Sequence, residues 1–501
     1  MKGNLILYSS FLVIFISCPF CKKYPENNKI PSLLIIHTDE HNFRTLGCYR
    51  ASLPPDQAFV WGERNIVETP QIDWLAENGA MCTSFYATTP CCSPSRASFL
   101  SGRYPQNTSV VSNNDRLDDD IITFARVLQE NGYKTGYAGK WHLDGSGKPQ
   151  WAPVRNFGFE DNKYMYNRGH YKKVEDTPQG PRIVPRNKDG VATYDVDNAD
   201  EKSFMTDFLT DKTIDFIKKN KDAPFCYMVS YPDPHGPNTV RSPYDTMYNH
   251  LDFTVPATAF KDTTGILGWS QKKKNFIKKS GMSKYFGMVK CIDDNVGRII
   301  DALKYEGILD NTIVVFTSDH GDLLGEHARD DKFVTYEGSA KIPFILYYPV
   351  KVIKGKIINE ALSCVDFQPT ILNLMGVDLA GNEDGRDASV LFISENQSKN
   401  WKDIVFLRGS GFDRINAPSS WIAAITDRYK LVLSEQEGYV PWLYDLEKDP
   451  DELINYYFDP DYIEIVRGLA SELHDYCLNY YEPRFDNPYI KNEIMRIAER
   501  L

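Results

Sequence analysis

Cys92-Ser93-Pro94-Ser95-Arg96-Ala97-Ser98-Phe99-Leu100-Ser101-Gly102-Arg103 is the stretch around which the chain is organised. It opens with a small nucleophile. Pro94, two residues on, fixes φ and stiffens the backbone there. Arg96 and Arg103 bring permanent positive charge close to that nucleophile. Ala97 to Leu100 reads as the first turns of a helix. A helix start beside a reactive side chain offers free N–H groups and the positive end of the dipole to an anion. Taken alone, a cysteine ahead of a helix is often inert packing.

Working outward, several apolar runs deliver charged residues. Leu33-Leu34-Ile35-Ile36 reads as a buried parallel strand and ends at His37-Thr38-Asp39-Glu40-His41. Phe225 to Val229 leads to Asp233-Pro234-His235-Gly236-Pro237, and Ile313 to Phe316 leads to Thr317-Ser318-Asp319-His320-Gly321-Asp322. Acidic residues just past a strand's C-terminal end sit where open α/β sheets bind ligands. Adjacent carboxylates suit a hard, oxygen-loving cation such as calcium or magnesium. Tyr133 to Tyr137 is a further strand, followed by Gly139-Lys140-Trp141-His142-Leu143. On an extended segment Lys140 and His142 face the same side. Lys332 precedes Tyr336-Glu337 and a strand from Phe344 to Tyr348, with His327 upstream reading as a support behind the site or as structural.

Cys-x-Pro-Ser-Arg, three residues, then Leu-x-Gly-Arg resembles the type I sulfatase signature at every fixed position. That family belongs to the alkaline phosphatase-like superfamily. Gly139 to Leu143 is similar to its Gly-Lys-Trp-His-Leu motif, and Tyr444-Asp445-Leu446-Glu447-Lys448-Asp449-Pro450 to its Tyr-Asp-Leu-x-x-Asp-Pro segment. The likeness runs from about residue 31 to 480. It implies an α/β fold: a large sandwich around a central mixed, mostly parallel sheet, with a small C-terminal α+β subdomain. The implied boundaries are 30–380 for the catalytic domain and 381–501 for the subdomain.

The same resemblance implies the chemistry. A maturation enzyme that generates formylglycine oxidises the cysteine to an aldehyde, Cα-formylglycine. This points to Cys92 and not Cys91, since only Cys92 has proline at plus two and arginine at plus four. One hydroxyl of the hydrated aldehyde attacks sulfur, and the second loses its proton as the aldehyde re-forms and sulfate leaves. Asp39, Glu40, Asp319, His320 and the Cys92-derived group would hold one calcium ion; Glu40 stands where the family has aspartate or glutamine. Arg96 and Lys140 would orient the nucleophile. His142 would take the proton in the release step. His235 would protonate the leaving alcohol, and Lys332 would neutralise charge on the sulfate. The implied substrate is a sulfated carbohydrate such as a glycosaminoglycan, mucin or algal glycan. A phosphonate or phosphate monoester hydrolase on the same fold would share the metal site and is poorly separated from it by sequence.

Composition bounds the rest. The chain has 501 residues, 42% apolar and 25% charged, enough for a sizeable core. Its net charge of −11 argues against nucleic-acid binding, so positive charge for an anionic substrate must be local. Ten cysteines show neither zinc spacing nor a dense disulfide framework. Lys2 and the apolar run Leu5 to Ile16 read as a signal segment over 1–18. It ends at Phe15-Ile16-Ser17-Cys18, which resembles a bacterial lipoprotein box. That likeness implies export to periplasm or cell surface, a lipid on Cys18 attaching the chain to a membrane, and a tether over 19–29. Residues 144 to 200, rich in Gly, Pro, Asn and charge, read as an irregular excursion of the kind that carries substrate selection.

Overall fold

Four apolar runs anticipated from sequence lie side by side in one sheet. The structure, a computed structural model, describes residues 30–260, 279–395, 401–410, 421–435 and 438–498. The expected signal segment, tether and Cys18 lie outside the described residues. The sheet contains β1 (Ser32–Asp39), β2 (Ala80–Cys82), β3 (Lys134–Lys140), β4 (Asp161–Tyr166), β5 (Phe225–Pro234), β6 (Thr312–Ser318), β7 (Phe344–Tyr347) and β8 (Lys356–Ile358). Their order is β8-β2-β7-β6-β1-β5-β3-β4. Only β7 runs against the others, which makes the sheet mixed and mostly parallel, as expected. β1 lies at the centre between β5 and β6. All its residues are buried, which is why it reads as an unbroken apolar run.

Alternation along β1 builds two cores. Leu33 and Ile35 pack on one face with Phe99, Phe124 and Phe367. These come from α2 (Cys92–Ser101), α3 (Phe124–Glu130) and α6 (Phe367–Met375). Leu34 and Ile36 pack on the other with Leu75, Phe208 and Ile299. Those come from α1 (Pro70–Asn78), α4 (Met205–Asn220) and α5 (Lys279–Tyr305). Each such side chain contributes about 1.5–3 kcal/mol on burial. The result is a sandwich, helices on both faces of one sheet.

Two local readings change. The helix expected from Ala97 begins at Cys92 itself, so the nucleophile position is its first residue. Pro94 is tolerated there because first-turn N–H groups have no intrahelical acceptor to lose. Gly102 ends the helix at φ 65, a left-handed cap that favours glycine. The excursion over 144–200 also carries order: β4 is the edge strand of the main sheet, and Val174–Thr177 pairs with Gly180–Ile183.

A second, antiparallel sheet joins β9 (Val405–Arg408), β10 (Trp421–Ile425), β11 (Tyr429–Ser434) and β12 (Trp442–Asp445). One face packs on α7 (Ile463–Asn479) and α8 (Pro488–Ala498) through Leu431, Leu433, Leu473 and Ile494. The other packs on Tyr86, Val334 and Tyr336, just downstream of Lys332. Pro31–Leu501 forms one compact unit that includes both sheets. Among the described residues no helix is long and apolar enough to cross a membrane, and the eight cysteines there are free thiols.

Candidate active site

β1 and β6 are neighbours, so their C-terminal ends bring Asp39 beside Asp319 and His320; α2 adds Cys92. The four side chains are buried, and one ligand atom from each lies within 4.8 Å of the others. His320 Nε2 is 3.2 Å from Cys92 Sγ and 3.5 Å from Asp319 Oδ1. Donors about 2.3–2.6 Å from one cation can be no more than about 5 Å apart, so this group fits a single ion. His320 Nδ1 meets the Gly321 carbonyl at 2.9 Å. That bond places the hydrogen on Nδ1 and leaves the Nε2 lone pair for a metal.

Arg96 ties the acids together. Its Nε donates to Asp319 Oδ2 at 2.9 Å, its Nη2 to Asp39 Oδ2 at 3.3 Å, and its Nη1 to Lys140 O and Ser230 Oγ, both at 2.7 Å. Lys140 Nζ also donates to Asp39 Oδ2. Burial pushes the Asp39 carboxyl up, but the charges of Lys140, His235 and Arg96 outweigh it and hold the group well below the usual carboxylate range. The strand carrying Lys140 lies hard against β5. Gly139 stands at φ 106, and a side chain there would meet Ser230 O at 1.9 Å.

Cys92 feels the same field. Burial opposes ionisation, yet Lys140 and Lys332 bring the unmodified thiol down to about 7. Cys91 is pushed the other way, chiefly by burial and then by Cys92 itself. Electrostatics therefore separates two adjacent thiols as the motif did.

Glu40 stands apart from the four-donor group. Its backbone N–H donates to Asp319 Oδ1 at 3.1 Å, so the residue is in place, but at φ 63 its side chain turns elsewhere. Oε1 accepts from Lys332 Nζ at 2.9 Å, and Oε2 lies 2.9 Å from His235 Nε2. Burial works against charge on Lys332, but Glu40 and then Cys92 hold its ammonium well above the usual range. His235 is fastened at its other nitrogen, Nδ1, 2.9 Å from Gly236 O. Nε2 therefore stands between an acceptor, the Glu40 carboxylate, and a donor, Lys332 Nζ at 2.8 Å.

His142 departs from the extended geometry expected of it. β3 ends at Lys140, and His142 has φ 62. It is tied in by its carbonyl, which accepts from Ser93 Oγ at 2.7 Å. Both ring nitrogens are buried with no partner among the described residues. Burial, then Lys140 and Arg168, push its pKa well down. Left-handed backbone at Glu40 and His142, and at Asp331 and Phe333 around Lys332, is strain of the kind functional sites carry.

Two residues were not visible in the sequence. Asn113 accepts from Ser93 N at 3.0 Å through Oδ1, and its Nδ2 is 4.0 Å from Cys92 Sγ. His170 stacks on His235 with ring centroids 3.5 Å apart and planes at 10°. Neither belongs to a periodic or motif-like stretch, and only the fold brings them in.

A family model described as Sulfatase matches residues 32–377. Another, described as N-sulphoglucosamine sulphohydrolase, C-terminal, matches residues 325–478. An N-acetylglucosamine-6-O-sulfatase of Bacteroides thetaiotaomicron is 26% identical, covering 90% of this chain and 87% of its own length. An arylsulfatase of Clostridium perfringens is 28% identical, over 81% of this chain and 89% of its own. A structure solved in complex with its substrate, D-glucosamine-2-N,6-O-disulfate, shares the fold at a TM-score of 0.74 and 22% identity, covering 92% of this chain and 99% of that one.

Proposed function

The chain belongs to the sulfatase family of the alkaline phosphatase-like superfamily, and on that premise we propose that it removes O-sulfate from a carbohydrate at the centre built on Cys92. The observation that carries this reading is the convergence of Asp39, Cys92, Asp319 and His320 within 4.8 Å at the ends of adjacent strands. The named relatives that act on a sulfated glucosamine support the substrate class.

Asp39, Asp319 and His320 would hold a calcium ion together with the formylglycine derived from Cys92. Bound there, the ion would supply Lewis acidity to a sulfate oxygen and to the hydroxyl of the modified side chain. The chain's own residues do the rest. Arg96 fixes both carboxylates and the end of β3. Lys140 and Lys332 flank the centre and neutralise charge on the sulfate as the S–O bond breaks. His235 gives its Nε2 proton to the leaving sugar oxygen, which takes the bonding electrons. Glu40 holds His235 and Lys332 on one side of the centre. The unpartnered, neutral His142 is placed to accept a proton when sulfate is released.

The test is a screen of defined sulfated mono- and disaccharides with the matured protein, beside phosphate and phosphonate esters. Cys92→Ala should abolish turnover and Cys91→Ala should keep most of it. Mass analysis should find the Cys92 peptide about 18 Da lighter, since SH and H give way to a carbonyl oxygen. Full activity with an unmodified Cys92, or hydrolysis of phosphate or phosphonate esters in place of sulfate esters, would overturn the reading.

A further inference from the structure

We infer that His170, from the connection between β4 and α4, is the positioning residue that holds both Lys140 and His235 in register with the nucleophile. The inference rests on the sulfatase reading of this centre, with His235 as the acid.

His235 is anchored at its edges. Nδ1 bonds to Gly236 O, and Nε2 meets Glu40 and Lys332 at 2.9 and 2.8 Å. Edge contacts fix a ring within its plane; they resist rocking out of the plane far less. The stacked His170 face, at 3.5 Å and 10°, supplies that restraint. Lys140 has the converse problem, a four-carbon stem with many rotamers. Its ammonium is drawn to Asp39 and, at 2.9 Å, to His170 Nε2. One imidazole therefore joins the Lys140–Asp39 side of the centre to the His235–Glu40–Lys332 side. The chain leading into it is fastened three residues earlier. The Asn167 amide donates to Gly145 O at 3.0 Å and Gly147 O at 2.9 Å. Gly169 stands at φ 115, where a side chain would strike the Tyr171 ring.

Asp39, His170 and His235 also have ligand atoms within 4.8 Å of one another, which is metal-like spacing. Lys140 already bonds Asp39 and His170 there, and Lys332 bonds His235. Two ammonium groups occupy the polar atoms a second metal would need, so positioning is the better account.

The roles separate by variant and by leaving group. Substituted phenyl sulfates, from 4-nitrophenyl through 4-chlorophenyl to phenyl, need an acid increasingly as the phenol becomes less acidic. A misplaced acid costs the poor leaving groups most, and displacement of about 1 Å is worth up to ~100-fold. His170→Ala should lower kcat/KM by about tenfold more on phenyl sulfate than on 4-nitrophenyl sulfate, steepening the leaving-group dependence. His170→Phe, which keeps a stacking face, should restore the wild-type slope. His170→Gln, which keeps an acceptor for Lys140, should not. Binding of inorganic sulfate to the Cys92→Ala protein needs no turnover. There His170→Ala should weaken sulfate by about tenfold, with His170→Gln recovering most of it and His170→Phe little. A parallel loss across the series with no rescue by phenylalanine, or a sulfate affinity indifferent to residue 170, would overturn the inference. A wild-type protein that binds sulfate but hydrolyses no sulfate ester would instead sink the sulfatase reading, and sulfate affinity alone would then decide His170.

Discussion

At the scale of single residues, Glu40 is the most informative difference. Adjacency to Asp39 suggested a second metal ligand; one extra methylene and a left-handed backbone carry its carboxylate to Lys332 and His235. The two roles make opposite forecasts. Glu40→Gln should retain the cation, measured as metal content after dialysis, yet lose about 100-fold in kcat/KM because the acid and Lys332 lose their counter-charge. Asp319→Asn should lose both. A Glu40→Gln protein that comes out metal-free would return Glu40 to the ligand set. None of this was legible in sequence, because the deciding partner, Lys332, lies 292 residues away. Asp39, Asp319 and His320 were legible because each follows an apolar run, and Cys92 because it opens the Cys-x-Pro-Ser-Arg motif. His170 was not: its partners Lys140 and His235 lie at and just past the ends of two other strands, and nothing local distinguishes it from a loop histidine.

At the scale of elements, what could be read was what is buried on both sides. β1, β5 and β6 are unbroken buried runs and were recognised. β4, Asp-Asn-Lys-Tyr-Met-Tyr, is exposed at its start and carries charge, so it reads as loop although it closes the sheet edge. The contact between the second sheet and the Lys332 segment was equally invisible. There Lys430 of β11, fully buried, donates to Thr335 O at 2.6 Å, Glu337 Oε1 at 2.8 Å and Glu452 Oε1 at 2.7 Å. Lys430→Met leaves Glu452 buried without its cation, while Glu337 keeps Lys341 at 2.6 Å, and should cost about 3–5 kcal/mol near pH 8. The pH dependence has a definite sign. Burial already raises Glu452 to about 7, with Lys430 opposing the rise. The folded chain therefore binds a proton the unfolded chain has released between about pH 4.5 and 7, and stability through this group falls as pH rises across that window. Removing Lys430 raises that carboxyl further, so the variant's deficit should shrink between pH 8 and pH 5. Denaturant melts at the two pH values would show it, and a deficit that grows on acidification would contradict the account.

At the scale of the whole molecule, the question is how a chain of net charge −11 attracts an anion. Around the centre three carboxylates, Asp39, Glu40 and Asp319, face three permanent cations, Arg96, Lys140 and Lys332. Those six charges cancel, so the acid form of His235 and a bound divalent ion would supply the excess that draws sulfate in. The same ion would join β1, β6 and the start of α2, three elements far apart in sequence, while Arg96 already links Asp39 to Asp319. Its loss should therefore loosen the centre without unfolding either sheet. A chelator should abolish activity and lower the melting temperature by about 2–5 °C, since binding only to the folded state at 100 times Kd is worth roughly 2.7 kcal/mol. Calcium should restore both. Hydrogen exchange should locate the effect, with protection falling at 37–42, 92–96 and 317–322 and holding in β9–β12. Unchanged melting and full activity in a metal-free sample would rule the ion out, and a loss of protection spread evenly over both sheets would mean that it holds up the fold and not the centre.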